Sequence, residues 1–187
     1  AEMRAAMARA LTEEAGIHLY SPVLGEPALR RALGARMSAL YGGKVSAEQV
    51  ALTSGCNQAF CAAIATLAGP GDEVILPKPW YFNHQMWLTL QGIRTVPLDT
   101  GPDLLPSPEA CAALITARSR AIVLVTPNNP GGVEYPAALI RRFADLAAHH
   151  GLALILDETY RDFHTQDGPP HTLFSDPGWD EVLIHLY

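Results

Sequence analysis

Residues 152–157, LALILD, constrain this chain more than any other stretch: a short apolar run that ends on a carboxylate. An unbroken apolar run of that length after a glycine reads as a strand buried on both faces. A charge at the end of such a strand is costly unless something binds there. In open α/β sheets, ligands sit just beyond the carboxyl ends of the strands. Asp157, with Tyr160 three residues on, is therefore a candidate ligand-facing group. An Asp at a strand end also caps turns and pairs with arginines, so the strand alone does not decide. An apolar run ending in Asp-Glu also looks like a magnesium-holding Walker B strand, which requires a G-x-x-x-x-G-K-[ST] loop elsewhere. The chain has two lysines, Lys44 and Lys78, and neither stands in such a loop.

The remaining sequence alternates. A charged amphipathic helix over 1–15 is broken by Gly16, and a loop over 17–24 carries Tyr20. A helix over 27–41 begins on Pro27, which suits a first turn. It repeats Leu29, Leu33, Met37 and Leu40 at helical spacing and ends at Gly42 and Gly43. There follow a short strand at 50–53, an Ala-rich helix at 56–67, and a strand at 73–77. A helix at 83–90 and a strand at 93–98 come next, then a Pro-rich connection and a helix ending near residue 117. After a strand at 121–126, the helix at 136–149 puts Leu139, Phe143 and Leu146 on one face and pairs Arg141 with Asp145 on another. The strand at 152–157, a polar loop over 165–178 and a strand at 181–186 complete the chain. Six strands alternating with helices predict an α/β fold of three layers, a mostly parallel sheet with helices on both faces.

Composition narrows the function classes. At 187 residues, 49% hydrophobic and 17% charged, the chain is ordinary for a globular domain. Its net charge of −6, with no basic run longer than two residues, makes nucleic acid and anionic membrane surfaces poor partners. No apolar segment approaches the roughly 20 residues that span a bilayer, and the first residues lack the form of a secretory signal. Cys56, Cys61 and Cys111 are odd in number and form no C-x-x-C pair, as expected for free thiols in the cytoplasm. Asp157, Asp162 and His164 are a candidate metal group on residue type alone; no metal is expected, because Asp157 has a better use.

Four constellations fall at expected strand ends. Gly55, between Ser54 and Cys56-Asn57, makes a short turn into a helix, where backbone N–H groups can hold an anion; an ordinary tight turn looks the same. Pro77 and Pro79 stiffen the backbone ahead of Trp80 and Tyr81, an aromatic pair that would otherwise be core. Asn128 and Asn129 lie between Pro127 and Pro130, a common turn composition. Asp157 and Tyr160 are the fourth.

In their order, GPGDEVILPKPWY, TPNNPGG and LILDETY resemble the class I/II aminotransferases, fold-type-I enzymes that use pyridoxal 5'-phosphate. LYSPVLGEPALRRAL resembles that family's entry to its large domain, and the resemblance runs over 20–187. It implies a lead-in over 1–19 and a cofactor-binding large domain over 20–187. It implies that the amides of Gly55, Cys56 and Asn57 hold the phosphate, and that Tyr81, rather than Trp80, stacks on the pyridine ring. Asn129 is implied to bond the phenolic oxygen beside the substrate carboxylate, Asp157 to pair with the ring nitrogen, and Tyr160 to share the phenolic oxygen. Tyr20 would reach the phosphate in a partner subunit, so a homodimer is expected. Thr126 and Gly132 depart from the family, which usually has Asn and Thr there. The lysine that the family joins to the cofactor follows a strand like that at 181–186, so it is expected beyond Tyr187, together with a substrate-carboxylate Arg and a small C-terminal domain. The implied activity is amino transfer between an amino acid and a 2-oxo acid. A lyase with the same cradle is the alternative, as is a non-catalytic regulatory domain, although 1–19 has no basic DNA-binding segment.

Overall fold

A computed structural model describes residues 2–187. Five parallel strands, β1 (Glu73–Lys78), β2 (Arg94–Asp99), β3 (Ser119–Val125), β4 (Ala153–Asp157) and β5 (Leu183–Leu186), form one sheet in the order β2-β1-β3-β4-β5. Helices α1 (Glu2–Glu13), α2 (Pro27–Tyr41), α3 (Cys56–Leu67), α4 (Phe82–Leu90), α5 (Pro108–Ala112) and α6 (Ala137–His150) accompany it. The path leaves β1 toward β2 on one side and returns to β3 on the other, so a crevice opens at the strands' carboxyl ends where the winding reverses.

Side-chain alternation along each strand sorts the core into two layers. Ile75, Ile122, Leu124, Leu154 and Leu156 pack with Ile140 and Phe143 of α6 and with Met37 and Tyr41 of α2. Val74, Leu76, Ala121, Val123 and Ile155 pack on the other face with Phe60 and Ile64 of α3 and Leu88 of α4. The same parity carries Asp157 to the α3/α4 face and Glu158 to the α2/α6 face. Two adjacent carboxylates thus enter different environments.

Several sequence expectations are corrected. The expected strand at 50–53 pairs with no strand among the described residues; it is extended, and Leu52 donates its N–H to the Leu24 carbonyl. The sheet therefore has five strands where six were expected. α2 has its expected bounds, closed by Gly42 with a left-handed φ of 73°. Its packed face, however, is Gly34, Met37 and Tyr41, while Leu29 and Leu40 are exposed. The helix expected to reach residue 117 stops at Ala112. On α6 Phe143 is buried as expected, together with Ile140 and Ala147, while Leu139 and Leu146 are only partly buried against the same core. Arg141 pairs with Asp176 and not with Asp145.

Glu73, fully buried, opens β1 at the end of the sheet away from the crevice. Its Oε1 accepts from Arg94 Nη2 at 2.6 Å and from Arg118 Nε at 2.9 Å, and its Oε2 accepts from Thr116 Oγ1 at 2.7 Å. The Arg94 bond foremost, then the Thr116 bond, outweigh burial and bring the carboxyl down from 4.5 to about 2. A folded value below the unfolded one stabilises above pH 4.5, and that stabilisation is lost as pH falls through about 2. Urea midpoints of wild type and Glu73→Gln should differ most near neutrality and converge in acid. A constant gap across that window would rule this linkage out.

Candidate functional site

The crevice is a cleft of about 440 Å³ lined by Cys56, Asn57, Tyr81, Val125, Asn129, Asp157, Thr159 and Tyr160. It gathers residues from four chain segments. Gly55 is the N-cap of α3 with φ 88°, a conformation that favours glycine, although a Cβ there would meet nothing within 4 Å. No side chain caps this helix end. The first-turn N–H groups of a twelve-residue helix are left to face the cleft, and its dipole favours an anion there. The Cys56 thiol also lines the cleft, and burial pushes its pKa up, which keeps it in the unreactive thiol form.

Tyr81 stands between β1 and α4, where its hydroxyl accepts from Asn83 Nδ2 at 2.7 Å. Asn57 Nδ2 lies 3.5 Å from the same oxygen, across the cleft. Trp80 packs against the core, so the aromatic that faces the cleft is Tyr81. The two asparagines after β3 divide their work. Asn128 is buried, donating to the Pro79 carbonyl at 3.3 Å and accepting from Gly131 N at 2.9 Å, which ties the β3 loop to the β1 loop. Asn129 is the one that lines the cleft. Tyr160 stands at the rim, 40% exposed.

Asp157 is 3% exposed, and its Oδ1 accepts from Thr159 N at 3.0 Å and from Thr159 Oγ1 at 2.7 Å. Its Oδ2 lies 3.2 Å from His84 Nε2. That pair is close without the alignment of a good hydrogen bond, and both His84 nitrogens otherwise lack partners among the described residues. His84 is 1% exposed and stacks on Phe60, with ring centroids 3.9 Å apart. Burial raises the Asp157 carboxyl, and the contacts with His84 and Thr159 outweigh it, leaving the group below the ordinary carboxylate range. A charged carboxylate is thus held ready in a buried site.

His84 and Thr159 were not singled out from the sequence. The signal for His84 was its place three residues after Tyr81 on a helix, which puts the two on one side of it. Tyr20 is fully exposed and does not line the cleft of its own chain. The candidate metal group is not brought together: Asp162 meets Arg36, Arg161 and Tyr187, and His164 pairs with Glu134 at 3.0 Å. Lys78 pairs with Asp99 at 2.6 Å, and neither lysine lines the cleft.

His84→Phe should preserve the stack on Phe60 and remove the contact with Asp157. The Asp157 carboxyl should then titrate at higher pH, which carboxyl-carbon NMR reads directly. An unchanged midpoint would remove His84 from this role.

The family model for aminotransferase class I and II matches residues 1–183. The aspartate/prephenate aminotransferase of Thermus thermophilus is 33% identical over 181 residues, 91% of this chain and 46% of that protein. An arginine–pyruvate transaminase of Pseudomonas aeruginosa is 37% identical over 150 residues, 79% of this chain and 38% of that protein. Among solved structures, an Escherichia coli protein described with a methionine aminotransferase function superposes with a TM-score of 0.88 at 26% identity, over 98% of this chain and 48% of that one. A mutant aspartate aminotransferase of Thermus thermophilus complexed with tryptophan gives 0.86 at 30% identity, over 97% and 47%. The chain spans under half the length of each of these relatives.

Proposed function

Since the chain belongs to the class I and II aminotransferase family, whose members depend on pyridoxal 5'-phosphate, we propose that it supplies the cofactor cradle of an enzyme moving an amino group between an amino acid and a 2-oxo acid. The observation that carries this reading is Asp157, a buried carboxylate held charged at the floor of an open cleft.

The residues present fit the cofactor. Uncapped first-turn amides of α3 suit a phosphate, so Gly55, Cys56 and Asn57 would hold it by backbone. The ring of Tyr81 would cover one face of the pyridine. Asn129 and Tyr160, both on the cleft wall, would bond the phenolic oxygen, with Asn129 also beside the substrate carboxylate. When bound, the cofactor supplies an electron-accepting ring for charge that develops on the amino acid's α-carbon. Asp157 would keep a proton on the ring nitrogen, and His84 and Thr159 hold Asp157 in place. Tyr20, fully exposed in the loop that precedes α2, would complete the phosphate site of a second copy in a homodimer. No described helix is long and apolar enough to cross a membrane. Three free cysteines support a cytoplasmic setting.

Titration with pyridoxal phosphate, followed by cofactor absorbance and by tryptophan fluorescence, tests the cradle. Saturable binding that weakens in Asp157→Ala and Asn129→Ala is expected. Transfer of ¹⁵N from amino acid to 2-oxo acid by the complete protein tests the reaction. Absence of both would overturn the reading.

A further inference from the structure

Two buried charged side chains bracket Tyr160, and both rest on one tyrosine of α2. On one side, Glu158 is 0% exposed; its Oε2 accepts from the Tyr41 hydroxyl and from His185 Nε2 at 2.8 Å. On the other, the Arg161 guanidinium is buried, 4.0 Å over the Tyr187 ring and 5.7 Å from the Tyr41 ring centroid, and donates to Met37 Sδ at 3.6 Å. The backbone closes the turn between them, with Arg161 N donating to the Glu158 carbonyl at 2.8 Å and Phe163 N to the Tyr160 carbonyl at 2.9 Å. Glu158 N also donates to the Leu186 carbonyl at 2.9 Å, which fastens the start of the turn to β5. Tyr160 stands between these anchors at the cleft rim, and its own hydroxyl meets no partner among the described residues. Its placement is set from behind.

Glu158, His171 and His185 have the spacing of a metal site, with their ligand atoms within 4.8 Å of one another. The tautomer of His171 argues against that use. Its Nδ1 accepts from Leu173 N at 3.1 Å, so the ring proton sits on Nε2, which points toward Glu158 Oε1 at 3.9 Å. A ring that presents N–H to the carboxylate has no lone pair there for a cation. Two donors, Tyr41 and His185, meet Glu158 Oε2, while His171 Nε2 stands off at 3.9 Å without a hydrogen-bond partner among the described residues.

We propose that Tyr41 is a positioning residue for the cleft: by holding Glu158 and Arg161 together, it fixes the turn that presents the Tyr160 hydroxyl. What Tyr160 then does rests on the cofactor reading above, whereas the bracket itself is testable without cofactor. In cofactor-free protein, Tyr41→Phe should speed hydrogen exchange at the Arg161 and Phe163 amides by about tenfold, the size of one lost hydrogen bond to a charged group. Core amides such as Val123 and Ile155 should be unaffected. Arg161→Gln should give the same local pattern.

In protein loaded with pyridoxal phosphate, Tyr41→Phe should weaken cofactor binding in the wild-type background and add nothing to Tyr160→Phe. Exchange that rises equally throughout, exchange that does not rise, or strictly additive weakening would each overturn the proposal. So would failure of both Tyr41→Phe and Arg161→Gln to fold, since the residues would then be structural only. If wild-type protein does not bind the cofactor, the proposed function falls, while the exchange measurement still decides the bracket.

Discussion

Asp157→Asn is expected to lower the rate of amino transfer by roughly 10²–10³-fold, the scale seen when one preorganised electrostatic partner is removed from a reacting centre. The two side chains have nearly the same size, and the amide oxygen can still accept from Thr159, whose N–H and hydroxyl both reach Oδ1. The fold should therefore survive, and thermal melts should change little. What is lost is the negative charge. A neutral amide no longer favours a proton on the ring nitrogen, so developing charge on the α-carbon finds a weaker acceptor. The check is a kcat and KM comparison in the complete protein at saturating cofactor, where the loss should fall in kcat. A change of less than about threefold would remove Asp157 from this role.

Glu158→Ala should act on stability first. The carboxylate is wholly buried, and its removal strands the Tyr41 hydroxyl and His185 Nε2. Leaving a buried donor without its acceptor costs about 1–3 kcal/mol, and two donors are stranded here. For a chain of this length that lowers the melting temperature by on the order of 10 °C. Burial raises the Glu158 carboxyl, and the bonds from His185 and Tyr41 outweigh that, so its folded value lies below the ordinary range. The contribution is accordingly present near neutrality and lost as the solution is acidified. Burial pushes His171 down to about 4, so this ring is neutral near neutrality. Glu158→Gln keeps an acceptor for Tyr41 and should recover part of the loss. Equal melting temperatures for wild type and Glu158→Ala would refute this account.

Much of this was legible beforehand, for reasons that differ by element. The bounds of α2 and α3 could be read because Pro27, Gly42 and Gly55 carry their own backbone preferences. The strands β1, β3 and β4 could be read because burial on both faces leaves an apolar run. Residues 50–53 misled because four apolar or small residues carry no information about a pairing partner. The faces of α2 and α6 were legible in part: Met37 and Phe143 are buried as expected, whereas the weight given to Leu hid Tyr41 and Ile140. On α2 it is the Tyr41 hydroxyl, reaching Glu158 more than a hundred residues away, that sets the rotation. The cleft residues Tyr81, Asn129, Asp157 and Tyr160 could be listed from the order of their motifs, and the structure brings them to one cleft. His84 could not, since its use depends on α4 lying beside the end of β4. The Glu158 cluster draws on four separate segments and has no local signature at all.

The acidic pair at the end of β4 makes this site sensitive to insertions and deletions in a way that point substitutions do not reveal. Strand periodicity is two, so a one-residue slip that brings Glu158 to the position of Asp157 would turn it toward His84 and the cleft, and would carry Asp157 to the position of Leu156. The longer side chain would overreach the cleft, and the Tyr41 hydroxyl would lose its acceptor. Length variation near this segment should therefore be confined to the irregular loop at 165–170, beyond the turn.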